Sequence, residues 1–344
     1  MSAYPLPHLK TSYGKIHNML LASYLPKILN SAMDIGLFEA LADTTLTSED
    51  LAHNLDTDHE ITQAMCNVLV NHSFLDTQEN QYMLSPMSIE FLLSGSPVNQ
   101  LHDIRSYSGS QGPFDSLTEL LTKKRTPQFD QKMWASQESM LSMAQGARAG
   151  GAQAVVEFTT SLPEFEHCRK MCDLAGGSGH YTKAIMACNA ALEGHVYDLP
   201  EVVEIAGDLV KETAPIPHFH AFDMQVDQGF GNDYDLFFVS HFLYKNGSDG
   251  SLPQFLRNVN RALLPGGVFV SNHIPDNLPK EFQPIMSMVE LMTRCVGYPA
   301  HNLPREVLQQ ALLEAGFDTI TMQEPRHDQP YPTLLLAARK CREL

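Results

Sequence analysis

Along the first hundred residues, apolar positions recur with the period of a helix. The segment SYLPKILNSAMDIGLFEALAD keeps this spacing and ends near Asp43. TSEDLAHNL then starts with a Thr/Ser cap followed by acidic residues, which predicts a new helix. HEITQAMCNVLVNHSFLDT predicts a third helix, and LDTQENQYMLS predicts a small hairpin. Three helices and a hairpin at this spacing are typical of a winged-helix module, which we assign to residues 1–105.

Residues 106–165 continue the helical pattern with a different composition. They include the Met-rich and small-residue stretch MWASQESMLSMAQGARAGGAQAVV. We interpret its methionines as core or dimer-interface residues, or as the lining of a pocket, because methionine adapts to irregular ligands. We therefore expect a helical connector that contributes to a substrate pocket.

From residue 166 onward the pattern changes to short apolar strands that alternate with helices. Helical segments separate the first four strand candidates, which predicts parallel βαβ units. We therefore expect an α/β domain with a doubly wound sheet over residues 166–344. The strand candidates are CRKMCDLAG, GHVYDLP, DYDLFFVSH, GGVFVSNH, FDTITMQ and TLLLAARK.

Length and charge narrow the possible functions. A chain of 344 residues is long enough for two domains. Its net charge is −17, and no Lys/Arg cluster is longer than a short run such as TKKRT at 122–126. Binding of nucleic acid needs a basic face, so we expect no nucleic-acid partner. The third helix of the winged-helix module is neutral to acidic, so this module is expected to form a homodimer rather than to bind DNA.

Cysteine usage and hydropathy indicate a reducing, aqueous environment. The six cysteines are scattered without a CxxC pair, which favours reduced thiols. Apolar runs such as LFFV and TLLLAA are much shorter than the roughly 20 residues that span a bilayer. The start of the sequence, MSAYPLPHLKTSYGK, has no apolar signal-peptide core. We expect a cytoplasmic protein without a membrane partner.

The strongest chemical signal is the run DLAGGSGH, from Asp173 to His180, which follows an apolar strand and precedes a helix. Its glycines allow a tight turn and a close approach of the backbone to a ligand. About 20 residues later, Asp198 ends the second strand, where an acid can bind both hydroxyls of a ribose. A glycine loop followed by this acid indicates a ligand of the adenosine type. The spacing is not GxGxxG, and no GxxxxGK[ST] is present, so a pyrophosphate is not strongly indicated.

The runs DLAGGSGHYT, VYDLPEVVE and ALLPGGVFV resemble the S-adenosylmethionine-dependent O-methyltransferases that include the caffeate and acetylserotonin enzymes. IGLFEALAD resembles the dimerisation domain of that family, so the resemblance covers nearly the whole chain. It implies a Rossmann-like doubly wound sheet of the class I methyltransferases, preceded by an all-helical, winged-helix dimerisation domain. It also implies S-adenosyl-L-methionine as cofactor and a small molecule as substrate.

The resemblance also assigns roles to the cofactor-binding residues. In the family, the glycine loop and its leading acid bind the methionine part, a second acid binds the ribose, and an Asp with an apolar neighbour flanks the adenine. The matching residues are Asp173, Gly176 and Gly177 for the methionine part, Asp198 for the ribose, and Asp223 with Met224 for the adenine.

The catalytic residues depart from the family pattern. In the family, a His in a VLHDW-like motif after the fourth strand acts as general base, and two Glu residues flank it. Counted from Asp235, the position of this His is Tyr244. The two Glu positions fall on His273 and on Asn302, which is next to His301, while His241 lies three residues before Tyr244.

All three family catalytic positions have changed, and three histidines lie at or near them. Strands four and five are neighbours in this fold, so we predict that His241, His273 and His301 converge outside their carboxyl ends. Three neutral imidazoles with open positions suit a catalytic zinc or iron ion. Such an ion can chelate a 2-oxo acid and stabilise its enolate for C-methylation, an arrangement similar to the metal-dependent 2-oxo acid C-methyltransferases. Arg294 is a candidate for binding the substrate carboxylate.

Three other functions stay open on the sequence alone. One is O-methylation of a small molecule with Tyr244 or His241 as the base. Another is a catalyst that binds the cofactor without transferring its methyl group and uses the sulfonium in a rearrangement or pericyclic reaction. The last is a winged-helix regulator with a ligand-sensing domain, which the absence of a basic recognition helix argues against.

Overall fold

The computed structural model describes residues 6, 8–107, 114–129, 134–210, 214–224, 229–298, 302–327, 329 and 331–341. The chain forms two compact units, residues 1–110 and 111–344. The helices within the described ranges are all too short or too polar to cross a lipid bilayer.

The first unit is mainly helical and contains a small antiparallel sheet. Its strands lie in the order β1-β3-β2, and β2 and β3 form the hairpin that the sequence predicts. The helices are α1 Gly14–Ala22, α2 Leu25–Asp34, α3 Leu37–Ala40, α4 Ser48–Leu55, α5 His59–Asn71, α6 Pro86–Phe91 and α7 Leu101–Tyr107, and the strands are β1 Leu46–Thr47, β2 Leu75–Gln78 and β3 Gln81–Leu84.

Side-chain caps fix the starts of the central helices in this unit. The Thr47 side chain accepts a hydrogen bond from the backbone N–H of Asp50 at the start of α4. Asp58 accepts the N–H of Ile61 at the start of α5. Each cap satisfies a backbone donor that the helix itself leaves unpaired. The predicted second and third helices and the hairpin are confirmed, whereas the first predicted helix is divided into α2 and α3 at Gly36, whose φ is 76°.

Helix α1 differs from its neighbours because none of its residues is buried. Its apolar side chains are largely exposed, at 51% for Ile16, 65% for Met19 and 48% for Leu20. A contiguous apolar surface of this kind is typical of an interaction site.

The second unit contains the large sheet. Its helices are α8 Leu117–Leu121, α9 Gln137–Arg148, α10 Gly151–Thr160, α11 His180–Met186, α12 Pro200–Val210, α13 Tyr244–Asp249, α14 Leu252–Ala262, α15 Gln283–Cys295 and α16 Arg305–Glu314, with short 3₁₀ turns at Phe165–His167 and Lys280–Phe282. Its strands are β4 Lys170–Leu174, β5 Glu193–Asp198, β6 His218–Ala221, β7 Tyr234–Ser240, β8 Leu263–His273, β9 Phe317–Gln323 and β10 Leu334–Lys340.

The seven strands lie in the order β6-β5-β4-β7-β8-β10-β9. Strands β4 to β8 are parallel, whereas β10 runs antiparallel to both β8 and β9. The predicted doubly wound α/β fold is therefore confirmed. Strand β6 is absent from the strand candidates above because HFHA, which forms it, has no apolar run and pairs with only one neighbour at the edge of the sheet.

Core clusters cover both faces of the sheet, which explains why the residues of β7 form a continuous apolar run. Phe237 and Val239 face one core cluster, which also contains Leu256 and Phe269. Leu236 and Phe238 face the other cluster, with residues of α10 and α11. The strand order reverses between β4 and β7, so the carboxyl ends of these strands form the crevice in which doubly wound folds bind ligands.

Candidate active site

The loop after β4 turns sharply around an acidic side chain. A Cβ atom on Gly176 would lie 2.6 Å from Cγ of Asp173, which explains why a glycine is required there. Gly177 adopts a positive φ of 55°, and its N–H donates a hydrogen bond to Oδ2 of Asp198 at 2.8 Å. The loop therefore joins the two acids that the sequence assigns to the cofactor.

Asp173 is almost fully buried, with 1% of its surface exposed. Its Oδ2 accepts a hydrogen bond from the Thr182 hydroxyl at 2.6 Å, whereas its Oδ1 has no partner among the described residues. Burial raises the pKa of Asp173 to about 7, and the charge of Asp198 adds to this rise. A buried carboxyl group with one open oxygen fits a cationic partner such as an ammonium group.

Asp198 is the last residue of β5, and two backbone donors fix its carboxylate. Oδ2 accepts the N–H of Gly177 and Oδ1 accepts the N–H of Leu199, each at 2.8 Å. Burial raises the pKa of Asp198, and these two hydrogen bonds oppose the rise. Each carboxylate oxygen can accept a further hydrogen bond, so the group fits the two hydroxyls of a ribose.

Asp223 and Met224 lie just after β6, beside the end of β5. The N–H of Phe222 donates to the carbonyl oxygen of Asp198 at 2.8 Å, which fixes the start of this loop. Asp223 is half-buried, and Met224 is 39% exposed. Their contact with an adenine ring stays a prediction.

His241 follows β7 in a strained backbone conformation. Its φ of 52° lies in the left-handed region, which is uncommon for residues other than glycine. Its N–H donates to the carbonyl oxygen of Asn272 at 2.8 Å, which ties it to β8. Its Nδ1 lies 2.8 Å from the hydroxyl oxygen of Tyr244. Such strain is typical of functional sites.

Tyr244 is buried below His241, with 1% of its surface exposed. Its hydroxyl oxygen accepts the N–H of Ile274 at 2.8 Å. Burial raises the pKa of Tyr244 far above its usual range. The phenol therefore stays protonated, which argues against Tyr244 as the base and leaves His241 as the better candidate of the two.

His273 is the last residue of β8 and is 1% exposed. Its Nδ1 lies 3.3 Å from the Ser271 hydroxyl, and its Nε2 has no partner among the described residues. Burial, followed by the charges of His241 and Arg305, lowers the pKa of His273 to about 3. His273 is therefore a neutral imidazole at neutral pH.

The three predicted metal ligands are placed only in part. His241 and His273 lie at the ends of neighbouring strands, whereas His301 lies outside the described residues. Within the part of the chain that the structure describes, no group of three or more His, Cys, Asp or Glu side chains could hold a metal ion. The prediction of a zinc or iron site is therefore not supported.

Arg294 lies in α15, and its side chain is 61% exposed. Its Nε donates to Oε1 of Glu290 at 2.8 Å, one helical turn earlier. An exposed pair of this kind contributes little to stability. The assignment of Arg294 to a substrate carboxylate stays a prediction.

Sequence reasoning missed two neighbours of the glycine loop. Thr182 binds Asp173, and His180 has a buried Nε2 without a partner among the described residues. Both lie in the first turn of α11, directly after the loop, and this position was the signal that could have revealed them. Like Asp173, they lie near the carboxyl end of β4, around the glycine loop.

Comparisons with known proteins point to one family. The model described as "O-methyltransferase domain" matches residues 127–299, and the model described as "O-methyltransferase dimerisation domain" matches residues 18–94. The chain is 25% identical over 281 residues to the N,N-dimethyltransferase OxyT of Streptomyces rimosus, with 72% of this chain and 74% of that protein covered. It is 24% identical over 271 residues to acetylserotonin O-methyltransferase of Bos taurus, with 70% and 74% covered.

A solved structure extends this likeness to the whole fold. Human N-acetylserotonin methyltransferase in complex with S-adenosylmethionine superimposes with a TM-score of 0.74 at 18% identity. The match covers 98% of this chain and 100% of that chain. This likeness supports the class I methyltransferase fold that the sequence resembles.

Proposed function

Since the chain belongs to the O-methyltransferase family, we propose that this S-adenosylmethionine-dependent methyltransferase methylates a hydroxyl oxygen of a small molecule, with His241 as general base. We choose His241 as the base because it forms a hydrogen bond with Tyr244 at the carboxyl end of β7. When bound, S-adenosylmethionine supplies an electrophilic methyl group on its sulfonium sulfur.

The residues around the glycine loop fit the cofactor. We assign the ammonium group to Oδ1 of Asp173, which is buried without a partner among the described residues. We assign the ribose hydroxyls to Asp198, whose two oxygens are oriented by Gly177 and Leu199. The adenine is assigned to the loop of Asp223 and Met224.

His241 is the residue to which we assign proton transfer. A hydroxyl oxygen becomes a better nucleophile as its proton leaves, and a positioned imidazole accepts that proton. For Nε2 to act as the base, Nδ1 must carry the hydrogen and donate it to the oxygen of Tyr244. Tyr244 therefore acts as a positioning residue that fixes the tautomer and the orientation of the ring.

His273 supplies a second imidazole near His241. The charge of a protonated His241 contributes to the low pKa of His273, so the two rings are not expected to be protonated together. We infer that His273 stays neutral while His241 carries the substrate proton. Its open Nε2 can hold a substrate oxygen through a hydrogen bond.

Replacement of Tyr244 by phenylalanine is expected to lower kcat by about 100-fold, because an imidazole that has lost its hydrogen-bond partner is misplaced. The affinity for S-adenosylhomocysteine is expected to stay unchanged, and the pH dependence of kcat should shift because the tautomer is no longer fixed. Steady-state kinetics across pH and calorimetric binding test both effects.

Tyr234→Phe is the matched control for Tyr244→Phe. Tyr234 is also buried, and its hydroxyl donates to the carbonyl oxygen of Phe230 at the amino end of β7. It should lower the free energy of unfolding and leave kcat unchanged. Equal losses of kcat in the two variants would contradict a positioning role for Tyr244.

The sequence alone favours a different reaction, metal-assisted C-methylation of a 2-oxo acid. The family match supports oxygen methylation better, as does the bovine relative named acetylserotonin O-methyltransferase. Because another relative is named N,N-dimethyltransferase OxyT, nitrogen acceptors should also be tested as substrates.

A direct assay measures formation of S-adenosylhomocysteine with three groups of acceptors: hydroxylated aromatic compounds including acetylserotonin, aromatic amines, and 2-oxo acids with added zinc or iron. We expect turnover with hydroxylated compounds. Asp198→Asn is the negative control, because it weakens cofactor binding. Turnover confined to 2-oxo acids with metal would contradict the proposal, as would binding of cofactor without turnover of any acceptor.

We also propose that residues 1–105 form a homodimer, that residues 106–165 contribute to the substrate pocket and that residues 166–344 bind the cofactor. The match of the dimerisation domain to residues 18–94 and the exposed apolar surface of α1 support the dimer.

The triple substitution of Ile16, Met19 and Leu20 by serine is expected to convert the dimer to a monomer, because it removes apolar surface that a second copy would bury. Light scattering coupled to gel filtration measures the mass. Leu313→Ser is the control, since Leu313 is 56% exposed on α16. A wild type that is monomeric at micromolar concentration, or a triple variant that stays dimeric, would contradict the proposed interface.

A further inference from the structure

The edge of the large sheet carries a stack of aromatic side chains that the proposed reaction does not use. Strands β5 and β6 run parallel, with His195 opposite His218. The His195 ring stacks on two other imidazoles, with its centroid 5.0 Å from that of His218 and 5.2 Å from that of His220. The His220 ring in turn stacks on Tyr197 at 4.6 Å. Alternate residues of a strand point to the same face, so the stack joins β5 and β6 on one face of the sheet.

A hydrogen bond between two imidazoles lies at the centre of this stack. Nδ1 of His195 is 2.9 Å from Nε2 of His220. The bond needs one hydrogen between the two nitrogens, so it can form when both rings are neutral or when one is protonated, but not when both are. Nε2 of His195 is buried and has no partner among the described residues, so a proton gained there would lack an acceptor. The pair therefore resists protonation while β6 stays in place.

The charges around the pair also oppose its protonation. Burial, followed by the charges of His220 and His218, lowers the pKa of His195 to about 4, and burial followed by the charge of His218 lowers the pKa of His220. The ammonium group of Lys170 on β4 acts on both rings in the same direction, whereas Glu193 opposes the effect on His195. The other titratable side chains near the pair stay uncharged at neutral pH because burial raises their pKa values: Tyr197, Tyr234 and Cys172.

Strand β6 is a short segment at the edge of the sheet. It has four residues, none of them fully buried, and it is hydrogen-bonded to β5 alone among the strands of the described residues. The loop that follows it contains Asp223 and Met224 and begins at Phe222, whose N–H donates to the carbonyl oxygen of Asp198. Segments with little buried surface open locally before the rest of a domain unfolds. The side-chain contacts between β5 and β6 therefore help to hold both the strand and its loop.

We propose that the hydrogen-bonded pair of His195 and His220 is an acid-sensitive latch, which holds β6 against β5 and releases it, together with the loop of Asp223 and Met224, when both rings are protonated. In the released strand the two imidazoles are solvated and separated, so each accepts a proton readily. The consequence for the cofactor rests on the proposed function, because that function assigns the adenine to the released loop. The opening of β6 itself does not depend on any ligand.

Hydrogen-exchange mass spectrometry of the free wild type tests the latch. A histidine whose pKa is lower in the closed strand stabilises it fully above the ordinary value of about 6.5, and this contribution is lost as pH falls towards about 4. After correction for the intrinsic exchange rate, the protection of a peptide covering His218–Ala221 should fall about tenfold or more between pH 7 and pH 5. A peptide covering Lys170–Leu174 in β4 reports opening of the whole sheet and should keep its protection. Unchanged protection in β6, or an equal fall in β4, would overturn the latch without any variant.

Glutamine substitutions identify the residues responsible, because glutamine can form hydrogen bonds but does not gain a proton in this range of pH. The double variant His195→Gln/His220→Gln should keep the protection of β6 at pH 5 within about twofold of its value at pH 7. Each single variant should show an intermediate dependence on pH. His167→Gln is the matched control, since His167 is exposed in the 3₁₀ turn before β4, and it should behave as the wild type. A double variant that keeps the wild-type dependence on pH would contradict the assignment to this pair.

A ligand without the amino-acid part of the cofactor tests the link between β6 and binding. We use 5′-methylthioadenosine, because it has no ammonium group and so does not depend on the protonation of Asp173. At one hundred times its dissociation constant at pH 5, it should raise the protection of β6 in the wild type by about 100-fold, since it binds only the closed loop. Binding that leaves the protection of β6 unchanged would overturn the link to the cofactor. If 5′-methylthioadenosine binds at no pH, the proposed function fails, whereas exchange in the free protein still decides whether the latch exists.

Discussion

Replacement of His241 by glutamine is expected to lower kcat by about 10²- to 10⁴-fold, the range that a positioned general base contributes. Glutamine keeps a polar side chain near the hydroxyl of Tyr244 but cannot accept a proton at neutral pH. Binding of S-adenosylhomocysteine should be unchanged, because the cofactor is assigned to Asp173 and Asp198 on β4 and β5. Kinetics and calorimetry on the same preparation measure the two quantities.

The acidity of the substrate gives a sharper test of this role. A hydroxyl that is already ionised at the assay pH needs no base, so the loss caused by His241→Gln should shrink for acidic phenols. His218→Gln is the control, because His218 lies at the start of the edge strand β6. A loss of the same size for acidic and ordinary phenols would contradict general-base catalysis by His241.

Replacement of Asp173 by asparagine is expected to weaken S-adenosylhomocysteine by about 10- to 100-fold at pH 8, because a hydrogen bond to a charged group is lost. Binding of 5′-methylthioadenosine, which has no ammonium group, should change little. Asp235→Asn is the matched control. That carboxylate accepts the N–H groups of Arg169 and Lys170 at the amino end of β7, away from the glycine loop.

The wild type should also show a pH dependence that Asp173→Asn abolishes. Burial raises the pKa of Asp173 to about 7 in the free protein, so a proton must leave the carboxyl group before an ammonium can pair with it. The affinity for S-adenosylhomocysteine should therefore rise about tenfold between pH 6 and pH 8. It should fall again at still higher pH, where the α-amino group of the ligand loses its own proton.

The same raised pKa sets the sign of the effect on stability. In the free protein, the carboxyl group of Asp173 is ionised more easily in the unfolded chain than in the folded one. Its contribution to the free energy of unfolding is therefore present at low pH and is lost as pH rises from about 4 towards 7. Thermal stabilisation by S-adenosylhomocysteine should be larger at pH 8 than at pH 6. An affinity and a stabilisation that do not vary with pH would contradict an ammonium partner for Asp173.

The cofactor side of the site could be predicted from the sequence because its signals are local. Asp173 and the glycine loop occupy one stretch of eight residues, and Asp198 ends the next strand. Parallel strands bring such ends to one edge of the sheet. The structure adds the hydrogen bond from Gly177 to Asp198, which links the two acids directly.

The catalytic side could be predicted only as a set of candidates. The sequence places His241 and Tyr244 three residues apart but cannot show that Tyr244 is buried, because it packs in a core cluster with residues distant in sequence, such as Ile274. Burial raises the pKa of the phenol and so separates the roles of the two residues. His241 also has a left-handed backbone and a hydrogen bond from its N–H to the carbonyl oxygen of Asn272, and the local sequence reveals neither.

The metal hypothesis illustrates the limit of counting positions along a chain. Three histidines at or near the three substituted catalytic positions form a plausible ligand set in the sequence. Coordination also requires that nitrogen atoms converge at about 2.0–2.1 Å from one point. Within the described ranges, no group of three or more His, Cys, Asp or Glu side chains could hold a metal ion, and His301 lies outside those ranges. Convergence is a property of three-dimensional structure that residue spacing does not encode.

The central claim is that this chain transfers a methyl group from S-adenosylmethionine to oxygen. The most direct measurement uses cofactor labelled with carbon-13 in its methyl group and determines by NMR which atom of the product carries the label. The account predicts a methyl group on a hydroxyl oxygen, formed by the wild type and about 10²- to 10⁴-fold more slowly by His241→Gln. A label on the carbon of a 2-oxo acid or on an amine nitrogen, or a label that stays on the bound cofactor with every acceptor, would contradict it.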